Sequence, residues 1–407
     1  MTARHSVSAA ILVALGSCPF AATAADIHVP AEQSTIQQGI AAANPGDRVL
    51  VAPGTYAEHI DFVGKDIVVE STGGAAVTTI DGTYSGIVAT FAHGESPAAV
   101  LRGFTITRGA AGVKFYGPHD GGGIRIVSQS SPTIESNDIH HNLAHTGGGI
   151  YVSYSSPVIR DNLIHDNRCN HGDWGGGIFV SDSGSPEIDH NLIHHNRAQY
   201  GAGLAIHGFG GMPKISRNVI TFNQASADGG GIEAWLNARF VDNLVHDNEA
   251  PSGAAAGVVL ALGLGHDDAY MEFINNTFAD NHGDDLHVDV RGGRVVFLDT
   301  IVRTSGGTSS IACAQSGAVT FDRSLVFATN GAQITGNCDV AAGGLLEVDP
   351  MFVGAGHPHP YVLGDGSPAI DAGNDAYVRH VRLDLAGHPR IQGAAVDLGA
   401  YERAPDD

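Results

Sequence analysis

Gly121-Gly122-Gly123-Ile124-Arg125-Ile126, Ser131-Pro132-Thr133-Ile134 and Asn137-Asp138-Ile139-His140-His141-Asn142 are the first statement of a phrase that returns through the middle of this 407-residue chain. The last glycine of the triplet recurs at Gly149, Gly177, Gly203 and Gly231, with a degenerate copy at Gly257, in steps of 26, 28, 26, 28 and 26 residues. Self-similarity at such a period signals a solenoid. Each copy holds three short apolar runs, as in Ile150-Tyr151-Val152, Val158-Ile159 and Leu163-Ile164, separated by Gly, Ser-Pro or Asn. Runs so short and so closely bounded by turn residues predict three strands and three turns per copy, not helices. The fold expected is all-β: a single-stranded right-handed parallel β-helix of about ten coils, roughly 50 Å long at about 4.8 Å per coil.

In such a coil equivalent residues stack into columns along the solenoid. Asn137, Asn162, Asn191, Asn218, Asn243 and Asn276 form one. An internal stack of carboxamides that satisfies turn backbone explains it, since buried polar side chains need partners.

Four segments follow from the pattern. Residues 1–25 read as an export signal, with Arg4 and His5, an apolar stretch from Ser6 to Leu15, and Ala22-Thr23-Ala24 at the cleavage position. That places the protein in the periplasm or outside the cell. Leu15-Gly16-Ser17-Cys18 also fits a lipobox, which would make Cys18 the lipidated first residue of an outer-membrane lipoprotein; ordinary cleavage is preferred because small apolar residues continue past Cys18. Residues 26–60 form an N-terminal cap with a short helix over Ser34 to Ala43. Residues 61–340 form the β-helix and residues 341–407 an irregular C-terminal region.

The formal charge of −22 and the lack of any basic cluster exclude a nucleic-acid partner. No segment after the signal is apolar enough to span a membrane, and a monomer is expected. Cys313 and Cys338 stand 25 residues apart, one coil, and are expected to pair as a disulfide in an oxidising compartment.

The opening Thr35-Ile36-Gln37, Gly46-Asp47 and Val51-Ala52-Pro53-Gly54-Thr55-Tyr56 closely resembles the N-terminal cap of the pectin-lyase-like superfamily. The repeats, with their Pro-x-Ile-x-x-Asn-x-Ile-x-x-Asn pattern, look like those of secreted bacterial β-helix proteins. Asp349-Pro350-Met351-Phe352, Gly366 to Gly373, Pro389-Arg390 and Val396 to Glu402 are similar to the choice-of-anchor Q region, which in its family follows such a β-helix. The resemblance implies lyases, hydrolases, epimerases, esterases or non-catalytic surface proteins, so it speaks to fold before activity. No cofactor is demanded. Ca²⁺ is the ion that Asp349, Asp371, Asp384 and Asp397 could ligate, although turn caps and an Arg390 pair explain these aspartates as well.

In this superfamily the substrate groove lies on the first strand of each coil, which here starts at the glycine triplet. Alternation then turns Arg125, Tyr151, Phe179, Ala205, Glu233 and Val259 outward, followed by Val127, Ser153, Ser181, His207, Trp235 and Ala261. Just before the glycines stand Asp120, Thr146, Trp174, Tyr200 and Asp228. One residue earlier stand His119, His145, Asp173 and Gln199, with His171 in a longer loop. Tyr116-Gly117-Pro118-His119-Asp120 loosely resembles the Tyr-Gly-Phe-Asp-Pro-His-Asp motif of alginate epimerases without its Phe-Asp pair. The Asp pairs of polygalacturonases and the Arg-x-Pro-x-x-Arg of pectate lyases are missing.

The candidate chemistry is therefore His119, Asp120, His145, His171, Asp173 and Tyr200 for proton transfer. Arg125, Tyr151, Trp174, Phe179, His207, Asp228, Glu233 and Trp235 would bind a polysaccharide or cell-surface glycan. Recognition without catalysis is the reading preferred. The alternatives are a lyase or uronate C5-epimerase, with His145 or His119 as base and Tyr200 as acid, and a purely structural envelope protein. The outward histidines His140, His165, His194 and His246 form a further ladder, read here as a product of repeat duplication.

Overall fold

The computed structural model describes residues 24–112, 119–169, 173–208, 210–235, 237–251, 255–260, 270–282, 286–290, 294–304, 309–313, 318–329, 331–336 and 339–404. All strand pairing along the solenoid is parallel, in one sheet of thirteen strands and two of eleven, each strand paired with its copy in the coil before and after. Every glycine-triplet strand is in register, Ile124 with Ile150, Ile150 with Ile178, Ile178 with Leu204 and Leu204 with Ile232. The thirteen-stranded sheet spans about 58 Å at roughly 4.8 Å per step.

The glycines are required by how closely the coils stack. The first of each triplet has positive φ, 62° at Gly147 and 69° at Gly175, a region that side chains disfavour. At the third, a Cβ on Gly177 would lie 2.5 Å from the carbonyl oxygen of Gly203. Gly177→Ala is therefore expected to cost at least about 1–3 kcal/mol, the usual penalty of overpacking, seen as a lowered denaturation midpoint.

The core is a stack of Ile, Val, Leu and Phe from all three strands of each coil, such as Ile124, Ile126, Ile134 and Ile139 in one turn. The asparagine column is buried as expected, with the Oδ1 of each accepting from the backbone N–H and Nδ2 of its predecessor at 2.9–3.2 Å. A second, parallel ladder runs through Asn142, Asn167, Asn196, Asn223, Asn248 and Asn281. Beyond Asn276 the first ladder passes to hydroxyls, Thr300 Oγ1 and Ser324 Oγ. There an internal stack of Phe240, Phe273, Phe297 and Phe321, with centroids 4.6–5.1 Å apart, runs along the core.

One feature differs from three strands per copy, and another concerns where the irregular end runs. A short fourth sheet, Leu143–Ala144, Arg168–Cys169, Arg197–Tyr200 and Gln224–Asp228, lies between the third strand and the glycine triplet. The tail from Leu346 to Ala404 runs back along the outward face of the third sheet. Leu244, Ala279, Ile301 and Leu325, which point out from that sheet, are covered by Tyr361, Val362, Leu363, Leu385, Leu398, Ala400 and Tyr401. An apolar outer face on four successive coils is what makes such a cover favourable. Within the tail the four candidate Ca²⁺ aspartates have carboxylate oxygens that accept backbone N–H groups, Asp349 from Met351, Asp371 from Ala395, Asp384 from His388 and Glu402, and Asp397 from Asp371 and Arg403. These are turn and loop ties.

The helix is observed over Ile36–Ala42, capped by Thr35, with Ile36 and Ile40 in the core of the first coil. Among the described residues no helix is long and apolar enough to cross a membrane. Cys313 ends a strand in which its Cα partner is Gly336. Cys338 lies outside the described residues, as do Cys18 and the rest of residues 1–23, most of the stretch read as an export signal.

Candidate functional site

The outward columns of the first sheet are as the alternation requires. Arg125 pairs with Tyr151, Tyr151 with Phe179, Phe179 with Ala205 and Ala205 with Glu233, while Ser153, Ser181 and His207 share the next column. Beside them, at the edge of the fourth sheet, bridges join Asp120 to Thr146 and Trp174 to Tyr200, and Tyr200 pairs with Asp228. Strand alternation and coil-to-coil register thus bring the loop and strand candidates onto one flank of neighbouring coils.

At one end of this flank a shallow groove of about 630 Å³ is lined by Arg125, Val127, Ser128, Gln129, Tyr151, Ser153 and Tyr154. Tyr151 leads from it to Phe179, 5.8 Å between ring centroids. Trp174 stacks on Phe179 and on Tyr200 at 6.3 and 5.9 Å and meets His207 edge-on at 5.2 Å. His207 stacks in turn on Trp235 at 4.4 Å. The result is a continuous row of rings crossing successive coils, ended by Trp235, which is 39 % exposed.

Burial changes the place of three residues expected to meet a substrate directly. Phe179, Asp228 and Glu233 point outward from the sheet or its edge but are only 6 %, 7 % and 3 % exposed. Rings close over two of them: Phe179 lies against Trp174 and His207, and the Glu233 carboxylate accepts from Trp235 Nε1 at 2.8 Å and faces His207 Nε2 at 3.3 Å. Glu233 therefore fixes the two outer rings, and Asp228 accepts from the backbone N–H of Gly229. That arrangement was not legible from the column alone, because it depends on how the His207 and Trp235 side chains fold back over their neighbour. Two donors on this flank, Arg125 Nε and Trp174 Nε1, are buried with no hydrogen-bond partner among the described residues.

The titratable cluster sits at the rim of the fourth sheet. His119 and His145 have ring centroids 5.1 Å apart, and His145 Nδ1 lies 3.6 Å from Asp173 Oδ2. Asp120 accepts a hydrogen bond of 2.6 Å from the Thr146 hydroxyl, and the Asp173 carbonyl receives the Gln199 backbone N–H. His171 lies outside the described residues. Cys169, beneath Trp174, donates its thiol to the Trp174 and Gly175 carbonyls. Burial pushes that thiol up to about 12, so it is no nucleophile at neutral pH. An imidazole beside a carboxylate can take up a proton or be oriented to do so; a row of rings offers flat apolar area to a sugar face.

The second sheet presents a different outer face. Asp26, Arg48, Glu70, Arg102, Glu135 and Arg160 alternate in sign up successive coils and pair in sequence. Such a charged ladder is a solvated surface worth little individually.

The sequence model of a family described as right handed beta helix region matches residues 98–266. Among solved structures, the crystal structure of pectate lyase Pel9A is similar over 94 % of this chain and 97 % of that one, at 15 % identity and a TM-score of 0.60. The catalytic unit of a GH87 α-1,3-glucanase from Streptomyces thermodiastaticus strain HF3-3 matches at 14 % identity, 77 % of this chain, 65 % of that one and a TM-score of 0.49. The A-module of the Azotobacter vinelandii mannuronan C-5 epimerase AlgE6 matches at 13 %, 77 %, 93 % and 0.36. No curated protein sequence matches the chain. Period, register and the likeness to Pel9A agree that the chain folds as a right-handed parallel β-helix, the fold of that pectate lyase.

Proposed function

We propose that this is an exported β-helix protein that recognises polysaccharide along the flank formed by the first sheet and the adjoining fourth-sheet edge. The observation that carries the reading is the row from Tyr151 through Phe179, Trp174, Tyr200 and His207 to Trp235, held from beneath by the buried Glu233. A sugar ring presents apolar C–H faces and hydroxyls together, and a site built to hold it needs flat rings with a few fixed polar groups. Arg125, which lines the groove, supplies a donor for such hydroxyls. The fold is shared with a pectate lyase. The charge of −22 favours a neutral glycan, or an acidic one bridged by a cation, over an acidic glycan alone.

A second reading is favoured by one contact, the 3.6 Å approach of His145 Nδ1 to Asp173 with the His119 ring tilted beside it. There the protein removes a proton next to a uronate carboxylate, His145 acting as base and Tyr200 as acid, as a lyase or epimerase would. Affinity electrophoresis through neutral and acidic polysaccharides, run beside reducing-end and absorbance assays, separates the two. Retardation without product supports recognition alone. Product formation that is abolished by His145→Ala, with retardation retained, supports proton transfer. Neither retardation nor product with any glycan in the panel would overturn both.

A further inference from the structure

The turns that follow the third strand carry chemistry that the glycan flank does not use. In three successive coils the last residue of this strand points outward, and the next residue has left-handed backbone: His141 (φ 54°), Asp166 (φ 51°) and His195 (φ 54°). The left-handed turn folds the second side chain back beside the first. Ligating atoms then meet, His140 Nδ1 with His141 Nδ1 at 2.8 Å, His165 Nδ1 with Asp166 Oδ2 at 2.7 Å and His194 Nδ1 with His195 Nδ1 at 2.7 Å. The coils stack these pairs, with imidazole centroids 5.0 Å apart between His140 and His165 and 4.9 Å between His165 and His194.

Asp138 completes the arrangement. It stands two residues before His140 on the same outward face, and its Oδ1 lies 2.9 Å from His165 Nε2. Asp138, His140 and His165 each place a ligating atom within 4.8 Å of the others, and all three are half-buried. Repeat duplication, the bland account of this ladder, would copy one residue type up the column. Instead Leu163 and Leu192 stand where Asp138 would be repeated, and the coil after His194-His195 carries Thr221-Phe222. A His-Asp pair returns at His246-Asp247, two coils beyond His194-His195, but with Leu244 at the Asp138 position, so Asp138 and its two histidines are gathered at one place on the ladder.

We propose that the outward face of the third sheet holds a transition-metal site formed by Asp138, His140 and His165, with His141 and Asp166 at its open side. Two imidazoles and a carboxylate suit Zn²⁺, Ni²⁺ or Cu²⁺ and not the all-oxygen shells that Ca²⁺ and Mg²⁺ take. A tetrahedral Zn²⁺ with bonds of about 2.1 Å needs its ligands about 3.4 Å apart. The Asp138–His165 pair, 2.9 Å apart as a hydrogen bond, must open by about 0.5 Å to admit the ion, and rotation of the half-buried His140 ring supplies the third ligand. The site lies on the third sheet and the proposed glycan row on the first and fourth, so ion and glycan bind independently.

The test is calorimetric titration of the chelator-stripped full chain with Zn²⁺, repeated with Co²⁺, whose visible absorption reports tetrahedral nitrogen and oxygen ligation. At least one ion per chain is expected. Asp138→Asn, His140→Ala, His165→Ala combined should weaken that ion by more than the roughly 10–100-fold typical of losing an outer partner alone. His119→Ala, His145→Ala should retain it, which separates this site from the other histidine cluster. Because the replaced side chains are at the surface, the triple variant should keep its thermal midpoint; the near-isosteric His165→Gln alone, expected to lose at least tenfold, serves if it does not. Zn²⁺ affinity unchanged in the triple variant or in His165→Gln, or no binding by the unmodified chain below millimolar Zn²⁺, would overturn the assignment.

Discussion

Arg390→Ala should cost about 3–5 kcal/mol and release the C-terminal tail from the flank of the solenoid. The guanidinium is 1 % exposed, donates from Nη1 to Glu402 at 2.8 Å and from Nη2 to the Asp397 and Gly399 carbonyls, and holds Nε 3.1 Å from Asp242 in a solenoid turn. Removing one partner of a buried ionic cluster strands the others, which is why the expected loss is at the upper end for a single substitution. Lysine should not rescue it, because one ammonium cannot reach two carboxylates and two carbonyls lying in different directions. Limited proteolysis is the readout: cleavage within residues 346–404 should quicken at temperatures where the coils still show β-sheet circular dichroism. Equal protection of the tail in both proteins would contradict the role given to Arg390.

The same cluster gives a pH dependence with a defined sign. Burial pushes Asp242 up to about 7 and Glu402 up to about 8, with Arg390 pulling each back. Asp299, which accepts the Asn374 backbone N–H where the tail crosses the next coils, is also pushed up to about 7 by burial. Carboxyls whose folded values lie above their unfolded ones bind protons more tightly when folded. Their contribution is fully present below about pH 4 and is lost as the pH rises through about 7 to 8. Tail protection should therefore be greater at pH 5.5 than at pH 8.5, and Asp242→Asn should flatten the difference; protection rising with pH would refute this.

Asn191→Ala should be the second large loss, about 3–5 kcal/mol, and should act on the solenoid itself. Asn191 Oδ1 accepts from both the backbone N–H and Nδ2 of Asn162, and its own Nδ2 donates to the Ile159 and Asp189 carbonyls and to Asn218. Alanine leaves several buried groups unpaired, each costing about 1–3 kcal/mol with partial relaxation. The protein contains its own control, since Thr300 continues the ladder with one hydroxyl that accepts from Asn276 and donates to backbone carbonyls. Asn191→Thr should accordingly lose less than Asn191→Ala in chemical denaturation. Equal losses would mean that volume, not hydrogen bonding, sets the cost.

The solenoid was legible because one residue per coil repeats with little variation: Gly123, Gly149, Gly177, Gly203 and Gly231 fix the register, and every outward column follows from it by alternation. The fourth sheet was not, because its strands are two to five residues long and mix Arg168, Arg197 and Gln224 with small apolar residues, leaving no periodicity to read. The course of the tail was equally hidden. What attracts it is an apolar outer face, Leu244, Ile301 and Leu325 in one column with Ala279 beside them in the next, that becomes visible only once the coils are stacked. In the candidate site the sequence places His119, His145 and Asp173 near one another and Trp174 beside Tyr200, as stacking alone requires. It does not show that Phe179 and Glu233 lie under the rings of Trp174, His207 and Trp235, because that depends on side-chain rotamers and on a loop longer than its neighbours.

The most direct test of the recognition flank is the dissociation constant of the full chain and of its Trp174→Ala, Trp235→Ala variants for whichever polysaccharide retards the protein. Each ring removed should weaken binding by about 1–3 kcal/mol, within the range for burying a large apolar side chain. The double variant should approach the product of the two single effects, with the thermal midpoint nearly unchanged for Trp235→Ala, the more exposed ring. An affinity in the double variant equal to that of the unmodified chain would place glycan recognition elsewhere on the molecule.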